Sequence, residues 1–263
     1  MLSAWVIYTT VFIAGLAIGS FVNVVIYRGP TLWGLVDAPA RGDLAFPRSY
    51  CPSCRTTIRI AHLIPLAGYV AAHGKCAECA APIPLRYPLV ELTGGVAAVL
   101  SVALFGLTLT AGAAFVFFML LLALAFIDLE TGYLPDALVI PLLLAGAGAN
   151  GFGLFTDPLS AAIGALSGYA VFAGVGWLFI KMRGKEGLGL GDAKLLAAFG
   201  AWFGWAALPF IVFVGAMTAI LAVLSLRATG KHIKSDTPIP FGPALAAAGA
   251  LAMIVHGLGV SFF

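Results

Sequence analysis

Charged residues are scarce in this 263-residue chain: Asp, Glu, Lys and Arg make up only 10% of it, while hydrophobic residues make up 62%. Soluble domains usually carry about 25% charged residues, so this composition excludes an ordinary soluble protein. The net charge of only +3 leaves no basic surface of the kind that binds nucleic acid. The composition therefore predicts a protein embedded in a lipid bilayer.

Polar stretches are also few, since only residues 28–88 form an extended polar segment and every other connection is short. The apolar runs that could cross a bilayer lie at 4–26, 89–109, 112–128, 134–153, 159–180, 206–226 and 241–261, with a shorter run at 193–204. The first run lacks the preceding basic residues of a cleaved signal peptide, so it is predicted to remain as an anchor. We expect an all-α polytopic membrane protein with about eight transmembrane helices, divided into a first helix (1–27), an insert (28–88) and a membrane core (89–263).

The basic residues predict which loops face the cytoplasm, because Lys and Arg in short loops stay on that side. All 14 of them fall in three regions, 28–86, 181–194 and 227–234. With the N terminus outside and eight crossings, the three regions share one side of the membrane. If 193–226 formed a single crossing, the third region would lie outside. The charge distribution therefore favours eight crossings and a cytoplasmic insert.

Cysteine is limited to four residues, all in the insert, and they form two C-x2-C pairs, 51-CPSC-54 and 76-CAEC-79. Two such pairs can supply four thiolates to one tetrahedral ion, as in a zinc ribbon. Two disulfides or four free thiols are the alternatives, and a cytoplasmic location disfavours disulfides. Ligation by Cys51, Cys54, Cys76 and Cys79 would leave no position for water, so the predicted Zn²⁺ is structural and not catalytic.

Acids are few, yet five of the eleven fall at predicted helix ends on the cytoplasmic side: Glu91, Asp128, Glu130, Asp136 and Asp192. An ionised acid at the centre of a bilayer helix costs about 2.5–3.5 kcal/mol, and less near the membrane surface, so such a group requires an explanation.

Asp128 ends the third apolar run and Asp192 begins the short sixth, so the two carboxyls could lie together. A close pair with little solvation shares one proton, and one acid can then activate water while the other donates a proton, as in aspartic proteases. Alternatively, Asp192 and Asp136 cap helices and Asp128 pairs with Lys or Arg.

Three glycines precede Asp192 in 187-GLGLGDAKL-195. Gly187, Gly189 and Gly191 allow unusual backbone conformations and let another chain approach the backbone beside Asp192. An extended substrate could lie there, or the glycines could form a flexible hinge.

Several motifs in order along nearly the whole chain resemble the type IV prepilin peptidases, also called leader peptidase/N-methyltransferases, which are membrane aspartic proteases of the G-x-G-D type. The matching segments are 19-GSFVNVVIYR-28, 48-RSYCPSC-54, 74-GKCAEC-79, 86-RYPLVEL-92, 127-IDLETGYLPD-136, 187-GLGLGDAKLLAAFGAWFGW-205 and 239-IPFGPAL-245. The resemblance implies that Asp128 and Asp192 are the catalytic pair, and that Asp136, Gly189, Gly191 and Lys194 support them.

The same resemblance implies an enzyme of the bacterial inner membrane that cleaves basic leaders, after a Gly, from type IV prepilins or the pseudopilins of type II secretion, at the cytoplasmic face. Many members then methylate the new N terminus with S-adenosylmethionine, and members with the four-Cys insert resemble the bifunctional kind. Arg86 and Glu91 are the candidates for methyl transfer, although Arg86 and Lys194 could equally be helix-end anchors. The sequence contains no glycine-rich signature of soluble methyltransferases.

Two other functions remain open at this stage. One is a different G-x-G-D protease, of the preflagellin or signal-peptide type. The other is a proton-coupled transporter, which would require acids near the bilayer midplane and inverted repeats. The acids cluster instead at one membrane face, and the four-Cys insert with RYPLVEL favours the prepilin branch.

Overall fold

The computed structural model describes residues 3–184, 189–229 and 240–260. Within these ranges the chain is helical and contains no β-strand, only two isolated β-bridges in the insert. The helices are α1 (Ala4–Leu32), α2 (Ala67–Ala71), α3 (Arg86–Phe105), α4 (Leu109–Thr131), α5 (Asp136–Gly151), α6 (Pro158–Arg183), α7 (Leu190–Phe203), α8 (Leu208–Ala228) and α9 (Gly242–Gly257). The predicted all-α class is confirmed. Gly187, Lys185, Lys231 and Lys234 lie outside the described residues.

Five of the described helices are long and apolar enough to cross a membrane: Ala4–Leu32, Arg86–Phe105, Leu109–Thr131, Pro158–Met182 and Trp205–Ala228, the last with its preceding turn. Helices suit these runs because every backbone polar group must be bonded inside the segment when no water is present. The shorter helices α5, α7 and α9 have 16, 14 and 16 residues. Five long and three shorter helices agree broadly with the predicted number of about eight.

Helices α7 and α8 are separate, as the eight-helix topology requires. The chain breaks at Gly204, whose φ of 78° and ψ of 175° are rarely adopted by residues with side chains, and a 3-10 turn (Trp205–Ala207) follows. Residues 193–226 therefore do not form one continuous helix, and the number of membrane crossings they make stays a prediction.

Helix α1 continues to Leu32, beyond the predicted apolar run and into the predicted insert. The buried side chain of Arg28 explains this extension, because its guanidinium donates hydrogen bonds to the backbone oxygens of Asp43 and Pro47, each at 2.7 Å. These bonds fold the start of the insert back against the helix. The division into 1–27, 28–88 and 89–263 stays a prediction.

The chain forms two compact units, Met1–Ala123 and Leu124–Phe263, and the boundary lies inside α4. In the first unit, α1 packs closely along α3 through glycines. A Cβ atom on Gly19 would lie 2.8 Å from the oxygen of Val90, and one on Gly94 would lie 3.0 Å from the Cα of Gly19. Small residues allow this close backbone contact between membrane helices.

Helix α7 is the central helix of the second unit, and residues 195–203 are all buried. Helix α6 approaches its backbone at Gly168, where a Cβ would lie 2.8 Å from the oxygen of Leu196. Gly146 of α5 faces the indole of Trp202, and Gly249 of α9 faces the ring of Phe199. Three helices therefore enclose the middle and the end of α7.

Asn150, at the end of α5, secures the opposite end of α7. Its amide nitrogen donates to the oxygens of Ala201 and Trp202 at 2.7 and 2.8 Å, and its oxygen accepts from the backbone nitrogens of Phe155 and Thr156, both at 3.0 Å. Asn150 is fully buried, and all four contacts satisfy backbone groups that helix ends and turns leave without partners.

Candidate active site and metal centre

Three helix ends of the second unit meet around two carboxyls. Asp128 lies in the last turn of α4, Asp192 in the first turn of α7, and Gly242 at the start of α9. The backbone nitrogen of Gly242 donates to Oδ2 of Asp128 at 3.0 Å. The Asp128 carboxyl also acts electrostatically on Asp192. The structure therefore brings together the two acids that the sequence analysis predicted as a pair.

Leu134, in the connection between α4 and α5, fills the space beside this pair. A Cβ atom on Gly191 would lie 3.1 Å from the Cβ of Leu134, and one on Gly242 would lie 3.0 Å from its Cδ2. Leu134 thus contacts the residue before Asp192 as well as the residue that donates to Asp128. Leu134 therefore packs against the starts of both α7 and α9.

Asp128 is only 5% exposed. No basic residue among the described ranges lies within ion-pair distance of it, so the alternative of an Asp128 salt bridge finds no support in these residues. The hydrogen bond from Gly242 holds one carboxyl oxygen. The other oxygen is available for proton exchange with a neighbouring acid or with water.

Asp192 is partly exposed and occupies the third position of α7, whereas Gly189 occupies the N-cap position. The N-cap residue, being glycine, has no side chain to cap this helix start. A Cβ atom on Gly189 would lie 3.3 Å from Oδ2 of Asp192, so the carboxyl folds back over the glycine. Asp192 is therefore not the N-cap residue, but its carboxyl accepts a hydrogen bond from the backbone of Gly189, so a capping contribution is consistent with the structure. Its partial exposure leaves the carboxyl accessible from outside the protein.

The glycines before Asp192 have ordinary backbone conformations where they are described. Gly189 has φ −71° and ψ 140°, which any residue can adopt. Both positions require a residue without a bulky side chain, because Gly191 lies against Leu134 and Gly189 lies against the Asp192 carboxyl. Room for a substrate backbone stays a prediction for this segment.

Asp136 and Lys194 form an ion pair beside the two acids. The Nζ of Lys194 lies 2.7 and 2.8 Å from the two carboxyl oxygens of Asp136, and the side chains are 38% and 54% exposed respectively. Exposed pairs of this kind contribute little to stability. The pair joins the start of α5 to the first turns of α7, two residues after Asp192, which suits a role in positioning.

The four cysteines of the first unit form one cluster, and their sulfur atoms all lie within 4.8 Å of one another. The Sγ atoms of Cys51 and Cys79 are 3.8 Å apart, and those of Cys54 and Cys76 are 4.0 Å apart. A tetrahedral site with Zn–S bonds of about 2.3 Å requires sulfur atoms roughly 3.8 Å apart. The thiols are free, so the disulfide alternative is wrong and the geometry fits a metal ion.

The two C-x2-C loops have the same backbone structure. The nitrogen of Cys51 bonds to the oxygen of Thr56 and that of Cys76 to the oxygen of Ala81. The residue after each pair, Arg55 or Ala80, has a positive φ of 61° or 58°. The sequence spacing predicted the four-cysteine cluster, but it did not predict these two left-handed residues, because neither is glycine or asparagine.

Two of the cysteines have a lowered pKa, which favours the thiolate form that binds metal ions. Hydrogen bonds from the side chain and backbone of Thr56 lower the pKa of Cys54 to about 6. Backbone hydrogen bonds from Cys79 and Glu78 lower the pKa of Cys76. Metal ligation uses the deprotonated thiol, so these hydrogen bonds favour the binding form.

The two residues predicted for methyl transfer both lie at the start of α3 in the first unit. Glu91 is buried and accepts a 2.8 Å hydrogen bond from the backbone nitrogen of Leu66 in the insert. The guanidinium of Arg86 lies 4.8 Å from the centre of the Tyr87 ring.

A third polar residue lies there, Asn23 of α1, within the segment 19-GSFVNVVIYR-28. Its amide nitrogen donates to the oxygen of Tyr87 at 3.0 Å, while its own buried oxygen has no hydrogen-bond partner among the described residues. Leu134 and Gly242 were not predicted as site residues, although Gly242 lies in the matching segment 239-IPFGPAL-245.

Comparison with known proteins gives two matching family models. The Bacterial Peptidase A24 N-terminal domain matches residues 13–105, and the Type IV leader peptidase family matches residues 115–224. Among curated relatives, each named prepilin leader peptidase/N-methyltransferase, a protein of Burkholderia pseudomallei is 43% identical over 92% of this chain and 83% of its own length. One of Pseudomonas aeruginosa is 43% identical over 91% and 87%, and one of Aeromonas hydrophila is 42% identical over 95% and 91%. No solved structure matches.

Proposed function

Because this chain belongs to the type IV leader peptidase family, we propose that it removes the basic leader from type IV prepilins or pseudopilins and then methylates the new N terminus. The observation that carries the peptidase activity is the meeting of Asp128 and Asp192 at two helix ends, with Gly242 bonded to Asp128. The transporter alternative is not favoured, since these acids lie at helix ends.

The two carboxyls act as a unit that shares one proton. The ionised member takes a proton from water as the water oxygen attacks the scissile carbonyl carbon, and the protonated member hydrogen-bonds to the carbonyl oxygen. A proton then passes to the leaving nitrogen as the C–N bond breaks. Roles within the pair exchange during the reaction, so the titration belongs to the pair and not to one residue.

We place this reaction at the cytoplasmic face of the bacterial inner membrane. Basic residues hold a prepilin leader on the cytoplasmic side, while the apolar segment after the cut enters the bilayer. The scissile bond therefore arrives at the membrane surface, where the partly exposed Asp192 gives access to water. Support for this orientation comes from the grouping of Lys and Arg into three regions.

The methyl donor is S-adenosylmethionine, which supplies an electrophilic methyl group when bound. Its sulfonium and ammonium groups are cationic, so a site for it requires acceptors. The buried Glu91 and the unpartnered oxygen of Asn23 provide such acceptors in the first unit, where α1 packs along α3. We assign these two residues, with Arg86 beside them, to methyl transfer.

The metal is Zn²⁺, held by Cys51, Cys54, Cys76 and Cys79, whose sulfur spacing suits a tetrahedral ion. Four thiolates would occupy all the positions of a bound ion, so the ion would stabilise the insert and take no part in bond cleavage.

The direct experiment incubates the purified protein with a prepilin and methyl-labelled S-adenosylmethionine. We expect a shortened pilin that carries the label on its new N terminus. A prepilin in which the Gly before the cut is replaced by Val serves as the uncut control. An intact wild-type prepilin would refute the peptidase, and a shortened but unlabelled product would refute the methyl transfer alone.

A further inference from the structure

A cavity of about 310 Å³ lies in the insert beside the last turns of α1. Three arginines, Arg41, Arg48 and Arg55, line it together with Tyr50 and Thr57. The volume corresponds to roughly ten water molecules at about 30 Å³ each, enough for a small polar group. None of the proposed catalytic or metal-binding residues lines this cavity.

The guanidinium groups of Arg41 and Arg55 contact aromatic rings and a backbone oxygen, and neither contacts an acid among the described residues. The guanidinium of Arg41 donates to the backbone oxygen of Tyr27 at 2.6 Å and lies 4.4 Å from the centre of that ring. The guanidinium of Arg55 lies 5.5 Å from the centre of the Tyr50 ring. The hydroxyl of Tyr50 in turn donates to the backbone oxygen of Arg41 at 3.3 Å.

The positive charge of the cavity is not neutralised by the protein residues that the structure describes. Within them, no carboxyl lies within ion-pair distance of Arg41, Arg48 or Arg55. Asp43 is the nearest acid in sequence to Arg41, and its carboxyl accepts from the backbone nitrogens of Ala45 and Phe46. Three guanidinium groups around one cavity therefore favour an anionic ligand.

Neither proposed substrate has the required charge. A prepilin leader is basic, and S-adenosylmethionine carries a sulfonium and an ammonium group against a single carboxylate. The three arginines would repel both. The cavity therefore suits a third molecule, with at least one full negative charge and oxygen acceptors that a planar guanidinium can bind in pairs.

The position of the cavity identifies the source of that anion. The first apolar run ends at residue 26, and the next residue, Tyr27, holds Arg41 through its backbone oxygen. The cavity thus lies beside the end of the first apolar run, and a cytoplasmic insert would hold it near the level of the lipid headgroups. We propose that Arg41, Arg48 and Arg55 form a binding site for the phosphate of an anionic phospholipid headgroup.

Lipid binding to the full chain in detergent micelles tests this site. Phosphatidylglycerol and phosphatidylcholine are titrated separately and their complexes are quantified by native mass spectrometry. We expect at least about tenfold tighter binding of phosphatidylglycerol. Arg48→Gln should weaken it about fivefold, and Arg48→Gln with Arg55→Gln about thirtyfold, because each basic residue near an anionic surface contributes a similar increment.

Arg59→Gln is the matched control. Arg59 is an exposed arginine of the same insert that lies outside the cavity and pairs with Glu78 at 3.5 Å, so its loss should leave phosphatidylglycerol binding unchanged. Arg48 has an exposed side chain, and its single variant tests the site even if Arg55→Gln, next to Cys54, disturbs the metal loop.

Three results would overturn the proposal. Phosphatidylcholine could bind as tightly as phosphatidylglycerol, or Arg59→Gln could weaken binding as much as Arg48→Gln. Inorganic phosphate could also compete at the same concentration as the lipid, which would identify free phosphate as the ligand.

Discussion

The contact between Gly242 and Asp128 gives the sharpest prediction about the active site. A Cβ atom at residue 242 would lie 2.6 Å from Oδ2 of Asp128 and 3.0 Å from Cδ2 of Leu134. The φ of Gly242 is outside the left-handed region, so alanine fits its backbone. The methyl group of Gly242→Ala would therefore press against the Asp128 carboxyl and the Leu134 side chain, without straining the backbone of residue 242.

The size of the effect follows from the distances. Ordinary contact begins at 3.4 Å, so the carboxyl or the start of α9 must move by 3.4 − 2.6 = 0.8 Å. That movement would lengthen the 3.0 Å hydrogen bond from Gly242 to Asp128. A displacement of about 1 Å at a reacting group can lower the rate about 10²-fold, whereas overpacking costs about 1–3 kcal/mol of stability.

We therefore expect Gly242→Ala to lower kcat for prepilin cleavage about 100-fold with KM changed much less, and to lower stability in detergent by no more than the overpacking cost of about 1–3 kcal/mol. Gly148→Ala is the matched control, because a Cβ atom there meets nothing within 4 Å and the residue also lies in a helix of the second unit. A Gly242→Ala variant that cleaves within about threefold of the wild-type rate would refute the positioning of Asp128 by α9.

Three further predictions concern residues around this site and the insert. Asn150→Ala should lower the free energy of unfolding by about 3 kcal/mol, measured by denaturation in detergent, because buried backbone groups lose their partners; an unchanged midpoint would contradict this. Lys194→Gln should slow cleavage while changing stability by less than about 1 kcal/mol, and Lys194→Arg should restore the rate, since it can still bind Asp136. Metal analysis should find one zinc per wild-type chain and none after replacement of all four cysteines by serine; a metal-free wild type would refute the zinc site.

Short-range patterns made much of the fold and of the metal centre predictable from the sequence. Two C-x2-C pairs restrict their own loop geometry, and long apolar runs become helices because lipid offers no other partner for the backbone. The approach of Asp128 to Asp192 could also be expected, since one acid ends an apolar run and the other begins one on the same predicted membrane face.

Long-range contacts explain what the sequence did not reveal. Gly242 is 114 residues from Asp128, and its role depends on where α9 begins. The extension of α1 to Leu32 depends on backbone oxygens in the insert that accept from Arg28. The function of Asn150 depends on the end of α7, about 50 residues away. None of these partners has a periodic or local sequence signal.

Cleavage by Asp128→Asn and Asp192→Asn, each inserted in membranes at the wild-type level, tests the central claim most directly. Asp157→Asn provides the control, because Asp157 caps α6 through Ser160 and asparagine caps equally well. The account predicts no detectable leader removal by either of the first two variants and wild-type removal by the control. Near-normal cleavage by Asp128→Asn or by Asp192→Asn would contradict the assignment of that acid to the catalytic pair.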